Sequence, residues 1–206
     1  MKQIAIPFAA ACTLLAGCAT PAYVSPVEVT RFVGPSVTQL GQGTITIAAA
    51  PGMAEAGMGT DSLRFSLYAS AVRQELEALG YTVVESGGMQ LAEVSVSEFA
   101  AREDRRRGGV GVGGGASTGS YGSGVGVGVG VDLSSLINGP PPERIERQMA
   151  VTISPAAGDS NLWEGRASMT ATSNSEYAGD SEAAMKIADA LFRGFPGESG
   201  ETIAVE

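Results

Sequence analysis

Residues 149–172 read MAVTISPAAGDSNLWEGRASMTAT, and this stretch decides the fold class. Residues 149–153 alternate apolar with small or polar side chains, and residues 155–160 contain the proline and glycine typical of a turn. Residues 162–172 alternate again, with Trp163 on the apolar face. Alternation with period two is typical of a strand with one buried face. The stretch therefore predicts two strands joined by a connection short enough for an antiparallel hairpin.

A helix precedes this hairpin in the chain and is marked at both ends. Thr60, Asp61 and Ser62 offer the side-chain oxygens that cap a helix N-terminus. Gly80 supplies the residue type that commonly ends a helix. Apolar residues between these ends recur at helical spacing, at Phe65, Ala69, Val72, Leu76 and Leu79. This stripe predicts a helix packed on the core.

Three further strands and a second helix complete the pattern. Alternating or β-branched residues predict strands over residues 44–48, 81–85 and 92–97. Asp180 or Ser181 is predicted to cap the second helix, and residues 196–197 are predicted to end it. Strands outnumber helices and short connections join several of them. The order predicts an α+β fold, a mostly antiparallel sheet with two helices packed on one face.

Residues 108–142 form a glycine-, valine- and proline-rich insert between the central strands. Glycine and valine alternate strictly over residues 124–131, which fits a strand with valine on one face and bare backbone on the other. Three interpretations stay open: a mobile insert, a hairpin laid on the domain's sheet, and a hairpin inserted into a membrane. The last requires oligomerisation, because two strands cannot close a barrel.

The remaining segments flank a single domain that is predicted over residues 30–197. Residues 18–29 contain two prolines and little periodicity, and are predicted to form a tether. Residues 198–206 are acidic and are predicted to form a loose tail.

The start of the chain is typical of a secretory signal peptide. Lys2 supplies a positive charge, an apolar run covers residues 4–15, and small residues follow. The run is shorter than the roughly 20 residues that a membrane-spanning helix needs. We therefore expect residues 1–17 to be removed.

Residues 15–18, Leu-Ala-Gly-Cys, resemble the lipobox of bacterial lipoproteins at all four positions. The resemblance implies cleavage before Cys18, a diacylglycerol thioether on that residue, and acylation of the new amino group with a fatty acid such as palmitate. The alternative is a plain signal peptide that happens to contain a cysteine. Ala19 follows where an aspartate would retain a lipoprotein in the inner membrane of enteric bacteria. Resemblance to that rule favours the outer membrane, with the protein facing the periplasm.

Composition excludes several function classes. The 206 residues contain no histidine, the usual general base and the commonest metal ligand. The net charge of −9 disfavours a nucleic-acid partner, which needs clustered Lys and Arg. Cleavage would remove Cys12 and leave Cys18 as the only thiol, so no intramolecular disulfide is expected.

Several motifs from the middle and end of the chain resemble one known family. These are the lipobox, Leu-Gly-Tyr at residues 79–81, AEVSV at 92–96, the glycine-rich middle, MAVTI at 149–153, LWEGRA at 162–167 and Phe-Pro at 195–196. In this order they resemble the bacterial lipoproteins of the domain-of-unknown-function family numbered 4136, over about residues 29–200. The resemblance implies an envelope lipoprotein and supplies no catalytic residues.

The remaining polar residues do not form a recognisable reactive site. The pairs Glu103 with Asp104 and Glu75 with Glu77 lack the spacing of a calcium loop, and Lys186 lacks the preceding serine of a Ser-x-x-Lys motif. Glycine-rich frames in the insert lack the strand-then-helix context of a nucleotide site. Arg105, Arg106 and Arg107 are expected on a solvated strand end, and Trp163 in the core. We expect no catalytic, metal or cofactor site.

Two hypotheses for the function remain. The first is a non-enzymatic interaction module, bound to the membrane through Cys18, that meets an envelope protein by strand addition to a sheet edge. The second is a carrier or assembly factor whose interior holds a lipid or another apolar ligand. A filled core with an unpaired edge favours the module, and an enclosed apolar void favours the carrier.

Overall fold

The structure is a computed structural model that describes residues 20–55, 57, 59, 62–101, 111–114, 127–130, 141–158 and 160–206. Their strands and helices are, in chain order, β1 (Val27–Val33), β2 (Thr44–Ala49), α1 (Leu63–Ala78), β3 (Thr82–Val84), β4 (Gln90–Ala101), β5 (Gly111–Gly114), β6 (Val127–Gly130), β7 (Arg144–Pro155), β8 (Trp163–Thr172), α2 (Asp180–Phe192) and β9 (Thr202–Val205). Short 3-10 helices cover Val37–Gln39 and Glu176–Ala178.

Seven strands form one mixed sheet in the order β3-β2-β4-β7-β8-β1-β9. The pairings from β4 through β7, β8 and β1 to β9 are antiparallel, whereas β2 is parallel to both β3 and β4. The α+β class and the mostly antiparallel sheet are therefore confirmed. The pairing of β2 with β3 is parallel because α1 connects the two strands and returns the chain to the end from which β2 started.

The chain separates into two units. The main domain comprises Ala22–Asp104 and Pro142–Glu206 and holds the seven-stranded sheet and both helices. In the other unit, β5 and β6 pair antiparallel, with Gly111 opposite Gly130 and Val112 opposite Val129. Apart from β5, β6, Pro141 and Pro142, the predicted insert lies outside the described residues, including Pro140 and residues 124–126 of the strict alternation.

Both helices pack on the same face of the main sheet. Arg147 of β7 reaches the start of α2, and Glu98 of the adjacent strand β4 contacts both Arg147 and Arg64 of α1. Side chains on this face alternate with exposed or half-buried ones along β7 and β8. The helices therefore cover one side of the sheet, as the sequence predicts.

Trp163 lies at the centre of the seam between sheet and α2. Its side chain is fully buried, its ring stacks on Phe192 with 5.4 Å between centroids, and its Nε1 donates a hydrogen bond to the Pro196 carbonyl at 2.9 Å. Gly165 lies two residues along β8, where an added Cβ would lie 2.3 Å from the Trp163 ring and 2.8 Å from Leu191 Cδ1. The prediction of a core tryptophan is confirmed, and the seam has no room for even a methyl group at this point.

The predicted helix signals are confirmed for α1 and corrected for α2. Ser62 Oγ accepts a hydrogen bond from the Phe65 N–H at 3.0 Å, and Gly80 has a φ of +99° where the helix ends. In α2 the cap is Gly179, and neither Asp180 nor Ser181 lies at that position. Asp180 is instead the first helical residue, where its carboxylate pairs with arginines of neighbouring elements.

The segment predicted as a tether over residues 18–29 is wrong at its C-terminal end. Residues 27–29 belong to β1, whose Val27 and Val29 are buried against the helices. Val24 already bridges to Ala171 of β8. The local alternation is short and contains Pro26, so only the pairing with the long strand β8 makes this stretch extended and buried.

The acidic tail predicted over residues 198–206 contains the strand β9. Thr202–Val205 pairs antiparallel with β1, with Val27 opposite Val205 and Thr30 opposite Thr202. Val205 is buried, while Glu201 and Glu206 on either side are exposed. Four residues give too short a pattern to stand out in an acidic segment, so the prediction of a loose tail is corrected here.

Candidate interaction surface

The face of the main sheet opposite the helices is lined by small and polar side chains. We call it the outer face. One row across it runs Ser95, Ala150, Arg166, Thr30 and Thr202, from β4 to β9. These side chains are small or polar and are exposed or half-buried. The same strands therefore present a hydrocarbon face to the helices and a hydroxyl-rich face away from them.

Charge on the outer face is predominantly acidic. Glu28, Glu93, Glu146 and Glu164 lie on it, and Arg166 forms an ion pair with Glu164 at 2.6 Å. The pair is exposed, so water and salt screen it. A partner that docks on this face or along its border would be favoured if it carried basic residues.

Two open concavities lie on the outer face beside β9. The smaller has a volume of about 220 Å³ and is bordered by Phe32, Arg166 and Thr202. The larger, of about 340 Å³, is bordered by Tyr23, Glu146 and Ala204. Both are lined in addition by Glu28 and Ser168, so they adjoin. Their polar linings and open form suit contact with a peptide or protein surface better than enclosure of an apolar ligand.

The strand β9 forms one border of this surface and one edge of the sheet. It pairs with β1 on one side only, among the strands that the structure describes. The Thr30 and Thr202 hydroxyls lie 2.7 Å apart and join the two strands on the outer face. The opposite edge of the sheet is the three-residue strand β3. The β9 edge is thus the longer of the two edges, and its flanking glutamates limit nonspecific pairing.

The N-terminal segment is attached to the end of β8 by hydrogen bonds of Tyr23 and Ser25. The Tyr23 N–H donates to Thr172 Oγ1 at 2.9 Å, and the Thr172 N–H donates to the Tyr23 carbonyl at 2.9 Å. The Ser25 N–H donates to the Thr170 carbonyl at 2.8 Å, and the Thr170 N–H donates to Ser25 Oγ at 2.9 Å. The domain therefore starts at Tyr23 and leaves only a few residues after position 18 for a tether.

A cluster of charged side chains lies on the helix side and could be mistaken for a reactive site. Arg147 is 3% exposed, and its Nε lies 3.0 Å from Glu98 Oε2 and 3.4 Å from Asp180 Oδ1. Arg64 contacts the same two carboxylates, with its Nε 3.0 Å from Asp180 Oδ2. Tyr68 Oη donates to Asp180 Oδ1 at 3.4 Å. We call these five residues the charge cluster.

The charge cluster holds elements together and offers no poised acid or base. Two arginines face two carboxylates, so the charges balance locally. Burial, with a further contribution from Asp180, raises the pKa of Tyr68 to about 12, so the phenol stays protonated at neutral pH. The guanidinium of Arg147 also donates to the Tyr177 and Ala178 carbonyls at 3.0 and 2.7 Å.

A second buried arginine, Arg31 of β1, binds the other end of α2. Its Nε donates to the Leu191 carbonyl at 3.0 Å, and its Nη2 donates to the Ala190 and Arg193 carbonyls at 3.0 and 2.8 Å. Burial lowers the pKa of Arg31, an effect that Glu201 opposes. A cation at this position satisfies carbonyls that the helix leaves unpaired. Arg31 and Arg147 thus fix α2 on the sheet at both ends.

The pattern of the two strands in the sequence indicates these two buried arginines. Arg31 occupies the buried parity of β1 after Val27 and Val29, and Arg147 occupies the buried parity of β7 before Met149. An arginine on the apolar register of a strand indicates a buried cation with dedicated acceptors. Only the fold reveals that the acceptors belong to α2.

The other residues singled out from the sequence are not brought together. Glu75 and Glu77 lie on α1. Burial, together with Asp189, raises the pKa of Glu75. The Glu77 carboxylate lies 4.0 Å from the Arg73 guanidinium. The Lys186 ammonium lies 5.3 Å from the centroid of the Tyr177 ring. Cys18, Glu103, Asp104 and the three arginines at 105–107 lie outside the described residues.

The described part of the chain contains neither a metal-binding cluster nor a helix that could span a membrane. There, no three His, Cys, Asp or Glu side chains come close enough together to hold a metal ion. No helix in the same residues combines the length and the hydropathy needed to cross a bilayer.

Comparison with known proteins yields structural neighbours only. No protein-family model and no curated protein match the chain. A PDZ domain protein from Parabacteroides distasonis aligns with 88% of this chain at 12% identity and a TM-score of 0.48, and this chain spans 38% of that structure's length. Two PelC dodecamer structures from Paraburkholderia phytofirmans align with 80% and 84% of this chain, at 11% and 10% identity and TM-scores of 0.39 and 0.40, and are covered over 93% and 99% of their length. Likenesses at this level carry no argument about function.

Proposed function

We propose that the protein is an outer-membrane lipoprotein, anchored through Cys18 and facing the periplasm, with a non-enzymatic role in protein interaction. The observation that carries the anchor is the sequence Leu-Ala-Gly-Cys at residues 15–18, directly after an apolar run of signal-peptide length. The ordered start of the main domain agrees with it. Tyr23 is hydrogen-bonded to β8 only five residues after the cysteine, so cleavage before Cys18 would leave the domain complete.

The interaction role is supported by the free edge of β9. An extended peptide that pairs with Thr202–Val205 would continue the sheet beyond β1 and satisfy the backbone groups on that edge. Glu198, Glu201 and Glu206 surround the strand, so a segment with lysine or arginine beside its apolar residues would fit best. The partner is therefore a basic extended segment of another envelope protein.

Packing at the seam favours this role over that of a carrier. A lipid carrier needs an enclosed apolar space between sheet and helices. At the seam, Gly165 faces the Trp163 ring and Leu191 at distances that leave no space for a methyl group. The concavities described above lie on the opposite, polar face.

The same proposal treats residues 108–142 as an insert outside the core of the sheet. The ladder between β4 and β7 runs from the pair Gln90 and Pro155 to the pair Ala101 and Arg144. The two strands thus meet along their whole length without the residues between them. Deletion of residues 108–131 should leave one cooperative unfolding transition with an unchanged midpoint, measured by circular dichroism. A product without cooperative unfolding would contradict this assignment.

Membrane anchoring is tested by Cys18→Ser in the producing bacterium. The variant should leave the outer-membrane fraction, and mass spectrometry of the wild-type protein should show a mature chain starting at an acylated Cys18. Cys12→Ser is the matched control, because that residue lies in the segment expected to be removed. Unchanged sedimentation of Cys18→Ser with the outer membrane would refute the anchor.

Strand addition is tested by placing a lysine on the edge or in the middle of the outer face. Ala204 lies in β9 and Ala150 in the central strand β7, and both side chains belong to the outer face. Ala204→Lys should abolish crosslinking to the envelope partner, because a charge on an edge strand opposes pairing. Ala150→Lys should retain it. Loss of crosslinking only in Ala150→Lys would show that the partner docks on the outer face. Crosslinking that persists in both variants would refute both sites.

A further inference from the structure

The N-terminal segment and the insert both leave the main domain at the same end of the main sheet. The last row of the sheet at this end is Ala101, Arg144, Thr172 and Tyr23, joined through successive strand pairings and the hydrogen bond between Thr172 and Tyr23. The N-terminal segment and both stems of residues 102–143 therefore leave the domain here. We call this end, with the residues in and beside this row, the proximal end.

The chain length before Tyr23 restricts how far the proximal end can lie from a lipid attached at Cys18. Five residues, fully extended, span at most about 18 Å. The sheet is longer than that, because the ten residue-to-residue steps from Gln90 to Ala100 in β4 cover about 33 Å. The proximal end is thus held close to the lipid headgroups, whereas the opposite end can stand clear of them.

Three of the eight large exposed apolar side chains among the described residues lie at the proximal end. Tyr23 is 47% exposed, Phe99 of β4 is 59% exposed, and Leu63, the first residue of α1, is 83% exposed. The start of α1 lies at this level because Arg64 contacts Glu98 of β4, three residues from the strand's end. Three separate elements thus each contribute one large apolar group at the same end of the sheet.

The surroundings of Tyr23 suit a headgroup region in particular. The Arg144 guanidinium lies 5.4 Å from the centroid of the Tyr23 ring, so an aromatic ring and a cation share one surface position. Tyrosine favours the boundary between lipid and water, and arginine can pair with lipid phosphate. A protein partner would have no comparable reason to coincide with the attachment point of the lipid.

We propose that the proximal end, through Tyr23, Leu63 and Phe99, rests on the phospholipid surface in which Cys18 is anchored. This inference depends on the proposed anchor at Cys18. The sheet then stands with its strands directed away from the membrane. The turn between β7 and β8 is farthest from the lipid, and the outer face and the β9 edge remain open to a partner.

The orientation is tested with fluorophores on single cysteines in the lipidated, full-length protein. Cys18 is blocked by its lipid and Cys12 has been removed, so an introduced cysteine is the only free thiol. Ala100→Cys places the label at the proximal end and Ala157→Cys places it in the β7–β8 turn; both alanines are exposed. The proteins are reconstituted in phosphatidylethanolamine and phosphatidylglycerol vesicles that contain a headgroup-attached quencher.

The label at position 100 should be quenched, and the label at position 157 should keep its fluorescence. Equal quenching, or stronger quenching at 157, in protein that floats with the vesicles would overturn the orientation and leave the anchor intact. Protein that does not float with the vesicles would overturn the anchor, and with it the orientation.

A matched pair of apolar residues tests which side chains hold the end on the lipid. Leu63→Ser should reduce the quenching at position 100, because it removes an apolar group from the proximal end. Met89→Ser alters a 71% exposed residue beside the first residue of β4, at the opposite end, and should leave the quenching unchanged. Equal effects of both substitutions, or no effect of Leu63→Ser, would contradict the proposed role of these side chains.

Discussion

The two faces of the main sheet are built from the same strands and differ in almost every physical respect. On the helix side, Trp163, Met149 and Val151 are fully buried, and the two arginines on that side have carbonyl or carboxylate partners. On the outer face, Ser95, Thr30 and their neighbours stand in contact with solvent and the ion pair of Arg166 is exposed. Stability is therefore concentrated on the helix side, and the outer face contributes little to it.

This contrast explains how an α+β domain of this size can be stable and still offer an interaction surface. Apolar burial on one side supplies the favourable free energy of folding. Hydroxyls and glutamates on the other keep an uncovered sheet from associating through apolar contacts. The contrast can be tested by substituting matched residues on the two faces.

The largest difference in the free energy of unfolding is expected between substitutions of the aromatic residues Trp163 and Phe99. Trp163→Ala should lower the free energy of unfolding by about 3–5 kcal/mol, because it leaves a cavity among Phe192, Leu191 and Gly165. Phe99→Ala, on the outer face, should lower it by less than about 1 kcal/mol. Urea unfolding followed by circular dichroism measures both, and similar losses would show that the outer face is also packed.

Substitutions of arginines on the two faces should also differ in their effect on the free energy of unfolding, but by less. Arg147→Ala leaves the Tyr177 and Ala178 carbonyls without their donor and unbalances the charge cluster, which should cost about 3 kcal/mol. Arg166→Ala breaks only an exposed pair and should cost less than about 0.5 kcal/mol. The measurement is the same, and a cost for Arg166→Ala that equals that of Arg147→Ala would contradict the contrast.

Alkaline pH should destabilise the helix side through Tyr68. Its pKa is about 12 in the folded protein and near 10 in the unfolded chain, so the proton is held more tightly when folded. Below pH 10 this group adds no pH dependence. As the pH rises from 10 to 12, the unfolded state ionises first, and stability falls by at most about 3 kcal/mol. Tyr68→Phe should flatten this part of the profile, and identical profiles for both proteins would refute the assignment.

The smallest contrast lies within β9, whose successive side chains alternate between the two faces of the sheet. Val205→Ala should cost about 1 kcal/mol, since the side chain is buried near Val27. Thr202→Ala removes an exposed hydroxyl contact with Thr30 and should cost less than about 0.5 kcal/mol. Thermal unfolding measures the two. No effect of Val205→Ala would mean that the C-terminal strand contributes little to the domain.

The long strands and α1 could be predicted because their buried residues recur at regular short spacings in the sequence. Trp163 and Met169 lie on the buried side of β8 at even spacing, and Ser62 and Gly80 mark the ends of α1 by their own chemistry. The prediction failed where an element is short. β9 has four residues, and the stretch from Tyr23 to Val29 contains a proline, so neither shows enough alternation to be recognised.

Strand addition to a sheet edge stays a prediction, and the sequence did not locate the edge. Strand addition to a free edge was expected, yet the edge itself belongs to β9, in residues predicted to be a loose tail. Thr30 and Thr202 lie 172 positions apart and still share a hydroxyl contact. No local pattern reports such a pair, because strand pairing depends on which segments the rest of the fold brings together.

The amino-acid sequence by itself determined which side of each long strand is apolar and where α1 begins and ends. Tertiary structure alone decided that β1 and β9 close the sheet, that Arg31 and Arg147 hold the two ends of α2, and that the N-terminal segment and the insert leave at one end. The physical reason is range. Side-chain periodicity acts over a few neighbouring residues, whereas strand partners and buried cations are selected by contacts between residues far apart in the chain.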